Sequence, residues 1–201
     1  MAKKIVILNG SPRKAGNTSS LTAAFAEGAK AAGNEVTEFH LAGMNIRGCL
    51  GCWGGGKDEA CPCVQKDDMQ QIYPVYKAAD VVVLASPLYY WFISGFLKNA
   101  FDRLFAVAEC DPTYRNPVKE SVLIMAAEGS GFEESEHWYD HLEQHIGWKS
   151  LGKILCPLGH PARRHEGKAG AEAGLRPRPF HPLSIRTAVG SPAAGFFCVY
   201  T

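Results

Sequence analysis

Apolar positions along the chain fall into two periods. Ile5-Val6-Ile7-Leu8, Val81-Val82-Val83-Leu84-Ala85 and Val122-Leu123-Ile124-Met125-Ala126-Ala127 are continuous apolar runs, the pattern of strands covered on both faces. Glu35-Val36-Thr37-Glu38-Phe39-His40 alternates instead, and reads as a more exposed strand. Residues 151–156 form a fifth short strand. Between these runs the period changes to that of a helix. Leu21, Phe25, Gly28 or Ala29, and Ala32 share one face, and Gly33-Asn34 closes that segment as a C-cap would. Residues 67–79 read as a helix with Asp67 and Asp68 at its positive end, weakened by Pro74. Residues 94–107 read as a helix with Phe96, Ala100, Leu104 and Val107 facing inwards, and residues 133–146 as another.

Strand and helix therefore alternate from end to end. This order predicts an α/β fold, a doubly wound five-stranded parallel sheet with helices on both faces. Ligands of such sheets sit outside the carboxyl ends of the strands. Three loops with site-like chemistry leave those ends, at residues 9–20, 86–92 and 127–132, and are expected to converge on one ligand.

The first loop, Asn9-Gly10-Ser11-Pro12-Arg13-Lys14-Ala15-Gly16-Asn17-Thr18-Ser19-Ser20, joins a strand to a helix start. Unpaired N–H groups and the helix dipole favour an anion there. Ser11, Thr18 and Ser19 add hydroxyls, and Arg13 adds a fixed fork suited to phosphate. Neither the Walker pattern nor Gly-x-Gly-x-x-Gly is present. An ordinary capped turn is the plainer reading of the same residues. The second loop, Ser86-Pro87-Leu88-Tyr89-Tyr90-Trp91, offers a rigid apolar wall for a flat ring. Core packing is the alternative, but three consecutive aromatics cannot share one face of a regular element. The third loop, with Glu128 and Gly129, offers free backbone groups. A phosphate, a spacer and a planar heterocycle describe FMN.

These residues resemble the NAD(P)H-dependent FMN reductase and iron-sulfur flavoprotein group, which has the flavodoxin-like fold. The resemblance is carried by Gly10-Ser11-Pro12-Arg13-Lys14-x-Gly16-Asn17-Thr18, Cys49-x-Gly51-Cys52, Cys63-x-x-Lys66-Asp67-Asp68-Met69, Ser86-Pro87-Leu88-Tyr89-Tyr90-Trp91 and Lys98-x-x-x-Asp102-Arg103, and covers about residues 1–160. It implies FMN with its phosphate on Ser11, Arg13, Asn17 and Thr18. It places the isoalloxazine against Pro87, Leu88, Tyr89 and Tyr90, with Glu128 and Gly129 nearby. It implies hydride from NAD(P)H, delivered onward to a quinone, flavin, nitro compound, metal ion or protein, and a homodimer or homotetramer. An electron-transfer flavoprotein without a small substrate is the second reading, and a non-catalytic flavin or nucleotide sensor the third. No residue stands out as a catalytic acid or base. Asp102-Arg103 reads as a surface pair or a brace beneath the flavin loop.

Cys49, Cys52, Cys61 and Cys63 lie in one Gly-rich loop. Four thiols at this density match an Fe–S cluster, a zinc site or free redox-active thiols. The resembling iron-sulfur flavoproteins place a third Cys close after the second, where this chain has Trp53-Gly54-Gly55-Gly56. Cys110, Cys156 and Cys198 are isolated and read as inert thiols. His137, His141 and His145 share one helix flank beside the apolar stripe of Trp138, Leu142 and Ile146, which reads as a solvated flank or a subunit contact.

Charge changes the picture little. Lys and Arg number 21 against 20 Asp and Glu, which gives no sign of nucleic acid or an anionic membrane as partner. No apolar run is long enough for a membrane span, and the N-terminus lacks a signal-peptide pattern, so a cytoplasmic protein is expected. The 201 residues divide into a flavodoxin-like unit over 1–159 and an atypical basic tail over 160–201. In the tail Arg163, Arg164, Lys168, Arg176, Arg178 and Arg186 stand against Glu166 and Glu172 alone. Back-translated one nucleotide later, residues 174–184 can read Ala-Tyr-Asp-Leu-Gly-Leu-Ser-Ile-Arg-stop, which resembles the end of the family's final helix. The tail is thus expected to be a frameshift product or an extension onto a neighbouring subunit.

Overall fold

A computed structural model describes residues 2–158 of the chain. The expectations for residues 160–201, and for Cys198, lie outside the described residues. Ten elements follow in order: β1 (Lys4–Asn9), α1 (Asn17–Ala31), β2 (Glu35–His40), α2 (Met69–Ala78), β3 (Val81–Pro87), α3 (Gly95–Arg103), α4 (Phe105–Ala108), β4 (Glu120–Ala127), α5 (Glu133–Ile146) and β5 (Lys149–Pro157). The five strands form one sheet in the order β2-β1-β3-β4-β5, with every neighbouring pair parallel. This is the flavodoxin-like winding, whose order reverses between β1 and β3.

The pleat divides the core into two layers. Val6, Leu8, Val82, Leu84, Leu123 and Met125 point to one face, where Met69, Ile72, Tyr73 and Tyr76 of α2, Leu97 and Ala100 of α3, and Tyr139 of α5 cover them. Ile5, Ile7, Val81, Val83, Val122 and Ile124 point to the other, against Leu21, Phe25, Ala26 and Ala29 of α1. Because each central strand is buried on both sides, its sequence is a continuous apolar run. β2 is an edge strand, and its residues are half-buried or exposed, as the alternation implied.

Local details refine the sequence pattern. The helix expected over 94–107 is two: Leu104 N–H bonds back three residues to Phe101 O, and α4 restarts beyond it. Its inward face is Leu97, Ala100, Arg103, Leu104 and Val107, while Phe96 is 42% exposed. Pro74 sits inside α2 on its exposed side, where water can serve the carbonyl that lost its donor. α1 ends as expected, with Gly33 at φ +86° and Asn34 N–H bonded to Ala29 O, a Schellman-type stop.

Candidate functional site

The first loop leaves β1 at the switch point and is held by one buried side chain. Asn9 Oδ1 accepts from Ser11 N–H at 2.9 Å, which folds the chain back after the strand. Asn9 Nδ2 lies within hydrogen-bond reach of Ser19 Oγ (3.2 Å), Thr22 Oγ1 (3.3 Å) and Glu38 Oε1 (2.8 Å). Asn9 thus pins the loop to α1 and to β2 together. The hydroxyls of Ser11 and Ser19 donate to Arg13 O at 3.0 and 2.8 Å, so they shape the loop from within. Thr18 is buried and Arg13 exposed at the same loop.

Gly16 is the N-cap of α1, and it supplies no side-chain cap. The first backbone bond into the helix is Ser20 N–H to Gly16 O at 2.9 Å. The N–H groups of the first turn therefore face the loop, as an oxyanion requires.

The second loop makes a small hairpin beyond β3. Tyr89 and Phe92 exchange both backbone bonds, 2.9 and 3.1 Å, and the turn puts Tyr90 and Trp91 in the left-handed region at φ +49° and +61°. Aromatic residues at positive φ carry strain of order 1 kcal/mol or more each, and such strain concentrates at ligand sites. Tyr90 is 92% and Trp91 60% exposed, so neither is core. The hairpin is latched from the helix that follows the third loop: Ser135 Oγ of α5 donates to Trp91 O at 2.8 Å. Gly131, at φ +108°, lies so close that a Cβ there would sit 3.4 Å from Trp91 Cδ1. All three loops thus stand together at the carboxyl end of the sheet. The described residues fit FMN by these observations, an uncapped helix start for a phosphate and a held-out aromatic hairpin for a flat ring. Asn9, Ser86, Ser94, Gly131 and Ser135 shape this site; the sequence placed Asn9, Ser86 and Gly131 in the three loops without a role of their own, and the helix-cap position of Ser94 carries a local signal.

The cysteine loop lies against α3 and α4. Cys49, Cys52 and Cys63 line a cleft of about 190 Å³ with Trp53, Arg103, Phe105 and others. Cys61 is engaged apart from it: Lys66 Nζ donates to its sulfur at 2.8 Å, and the sulfur lies 2.5 Å from Gln70 Oε1. Among the described residues no three of His, Cys, Asp and Glu are grouped to hold a metal ion. A four-thiolate cluster needs four converging sulfurs, so these thiols as placed do not fit one. In the place of a closely following third Cys stands Trp53, packed edge-on against Phe105 and Tyr114.

Arg103 explains how this loop is anchored. It is 1% exposed, and it makes a two-pronged pair with Asp67, 2.7 Å to Oδ2 and 3.1 Å to Oδ1. It also donates to Arg47 O at 3.0 Å. Asp67 in turn accepts from the N–H groups of Arg47 and Met69 at 3.2 Å. Burial alone would raise the Asp67 carboxyl, but the Arg103 and Arg47 hydrogen bonds hold it below its usual range. The sequence read Asp67 as a helix-dipole residue and Arg103 as a surface pair or a brace. The sequence placed that brace beneath the flavin loop, whereas the guanidinium bonds of Arg103 run to Arg47, Gln65 and Asp67 at the cysteine loop; the surface pair is Lys98–Asp102 at 2.7 Å. His137, His141 and His145 are exposed on α5.

Comparison with known proteins bears on the site now described. The family model "NADPH-dependent FMN reductase" matches residues 3–160. An iron-sulfur flavoprotein of Archaeoglobus fulgidus is 33% identical over 126 residues, covering 63% of this chain and 56% of the relative. One of Methanosarcina thermophila is 30% identical over 132 residues, covering 66% and 68%. The chain thus spans little more than half the length of the former. Among solved structures, an NAD(P)H:quinone oxidoreductase from Methanothermobacter marburgensis superposes with a TM-score of 0.59 at 18% identity, covering 82% of this chain and 88% of that one. An FMN-dependent NADH-azoreductase from Bacillus anthracis, in complex with FMN, gives 0.55 at 13% identity, covering 92% and 93%. At these identities the likeness concerns the fold.

Proposed function

The chain belongs to the NADPH-dependent FMN reductase family, and from that premise we propose that it is an FMN-dependent oxidoreductase that takes hydride from NADH or NADPH and passes electrons to a quinone, a flavin or a comparable acceptor. The observation that carries this reading is the joining of an uncapped helix start to an exposed, strained aromatic hairpin at one end of the sheet.

The phosphate belongs at the first turn of α1. Arg13, Asn17 and Thr18 present a cation, backbone N–H groups and a hydroxyl there, with Gly16 contributing no side-chain cap and Ser11 and Ser19 holding the loop's shape. The flat ring belongs against Pro87, Leu88, Tyr89 and Tyr90, with Trp91 beside Tyr90 and with Glu128 and Gly129 on the third loop. FMN, when bound, supplies the hydride and electron chemistry. The protein's part is to bind, orient and shield. Pro87 and Leu88 are half-buried and form the fixed wall, while Tyr89 and Tyr90 reach outwards and leave an open approach for a second planar molecule. Among the described residues no helix is long and apolar enough to cross a membrane.

The test is a steady-state assay of the FMN-loaded protein with NADH or NADPH and a small quinone. Turnover dependent on both nicotinamide and FMN is expected. FMN bound without turnover from either nicotinamide would replace this reading with that of a carrier between proteins.

A further inference from the structure

A phosphate at the first loop and a ring at the second can be held as one ligand only if the two loops keep their spacing. We propose that Ser94 is the positioning residue that couples them, an inference that rests on the FMN reading above. Ser94 lies at the end of the second loop, fully buried, as the N-cap of α3. Its hydroxyl donates to Gly10 O at 2.8 Å and accepts from Leu97 N–H at 3.3 Å. Its own N–H donates to Ser86 Oγ at 2.7 Å, and Ser86 Oγ donates to Pro87 O at 2.7 Å. A chain of hydrogen bonds therefore runs from the ring wall at Pro87, through Ser86 and Ser94, to Gly10 of the phosphate loop. Gly10 is also held from the other side, by its N–H on Ala85 O at 2.8 Å.

Gly10 shows how close this contact is. A Cβ there would sit 2.6 Å from Ser94 Oγ and 2.7 Å from Leu97 Cβ, closer than such atoms come. The loop backbone approaches α3 as only glycine allows. The Ser94 hydroxyl has one proton, spent on Gly10, and takes the helix N–H with a lone pair. Removing it strands a carbonyl on one loop and an amide on the helix, both out of water, and lets the loops move apart.

A residue that only capped α3 would alter stability and leave ligand preference alone. Ser94 is assigned more than that, and the phosphate gives the readout. The dissociation constants of FMN and of riboflavin, which lacks the phosphate, are measured by flavin fluorescence on the full-length wild type and Ser94→Ala. Wild type is expected to prefer FMN strongly. Ser94→Ala is expected to lose roughly tenfold in FMN affinity while riboflavin changes little, so that the preference contracts. Equal weakening of both flavins, or an unchanged FMN constant, overturns the coupling. If Ser94→Ala does not fold, Ser94→Gly is measured instead, since glycine keeps most of an N-cap's value and removes only the hydroxyl bridge. Wild type that binds neither flavin defeats the FMN reading itself, an outcome separate from failure of the coupling.

Discussion

Replacing Arg103 by methionine is the perturbation whose size follows most directly from the structure. The guanidinium is 1% exposed and its partner carboxylate is 0% exposed. Arg103→Met keeps most of the side-chain volume and leaves Asp67 charged, buried and holding only the N–H groups of Arg47 and Met69. Breaking a buried pair from one side costs about 3–5 kcal/mol, mainly because the remaining charge is uncompensated. For a chain of this size that is a fall in Tm of roughly 6–20 °C. The pH dependence has a definite sign. In the wild type the Asp67 carboxyl is held below its ordinary value of 3.8, so its contribution is present above that value and is lost as pH falls through the lower folded value. In Arg103→Met burial prevails and the folded carboxyl rises above the unfolded one. The folded variant then binds the extra proton first, and its deficit relative to wild type shrinks on acidification. Urea unfolding at about pH 7.5 and about pH 4.5 measures both quantities. A deficit below about 1 kcal/mol, or one equal at the two pH values, would refute the role given to this pair. Arg103→Met combined with Asp67→Leu should recover most of the loss.

Other outcomes follow from the same geometry. Arg13→Ala and Thr18→Ala should each weaken FMN binding by about 1–3 kcal/mol in a fluorescence titration; unchanged affinity in both would move the phosphate elsewhere. Gly131→Ala puts a side chain at φ +108° beside Trp91, and should cost about 1–3 kcal/mol in thermal unfolding and shift the tryptophan emission. Protein purified without oxygen should carry well under one iron per chain, because Cys61 is engaged with Lys66 and Gln70; about four irons with matching sulfide would show that the loop rearranges to hold a cluster.

The layers of this fold were legible because burial on both faces leaves a plain trace. Val81-Val82-Val83-Leu84 and Val122-Leu123-Ile124-Met125 admit no amphipathic reading, and their alternation with helical periods fixes a parallel sheet. The inward face of α3 was less legible. Ala100, Leu104 and Val107 are buried as their spacing implies, but Phe96 is exposed, and Leu97 and Arg103 join the inward face, where an arginine enters a core only with a partner. That partner, Asp67, lies 36 residues earlier in the chain, beyond the reach of any local pattern. The same limit governs the site. The first and second loops announced themselves by composition, a Ser/Thr/Gly-rich helix start and three aromatics in a row. What joins them, Ser94 on Gly10 across 84 residues, is a tertiary contact with no local signature. Asn9 was hidden for the same reason, since its bonds reach α1 and β2 at once.

The most direct measurement is the absorption spectrum of the purified chain after incubation with FMN and removal of free ligand. Retained flavin bands at close to one FMN per chain, bleached by NADH or NADPH without oxygen, are the expected result. A colourless protein that does not retain added FMN would contradict the assignment of the three loops to one flavin.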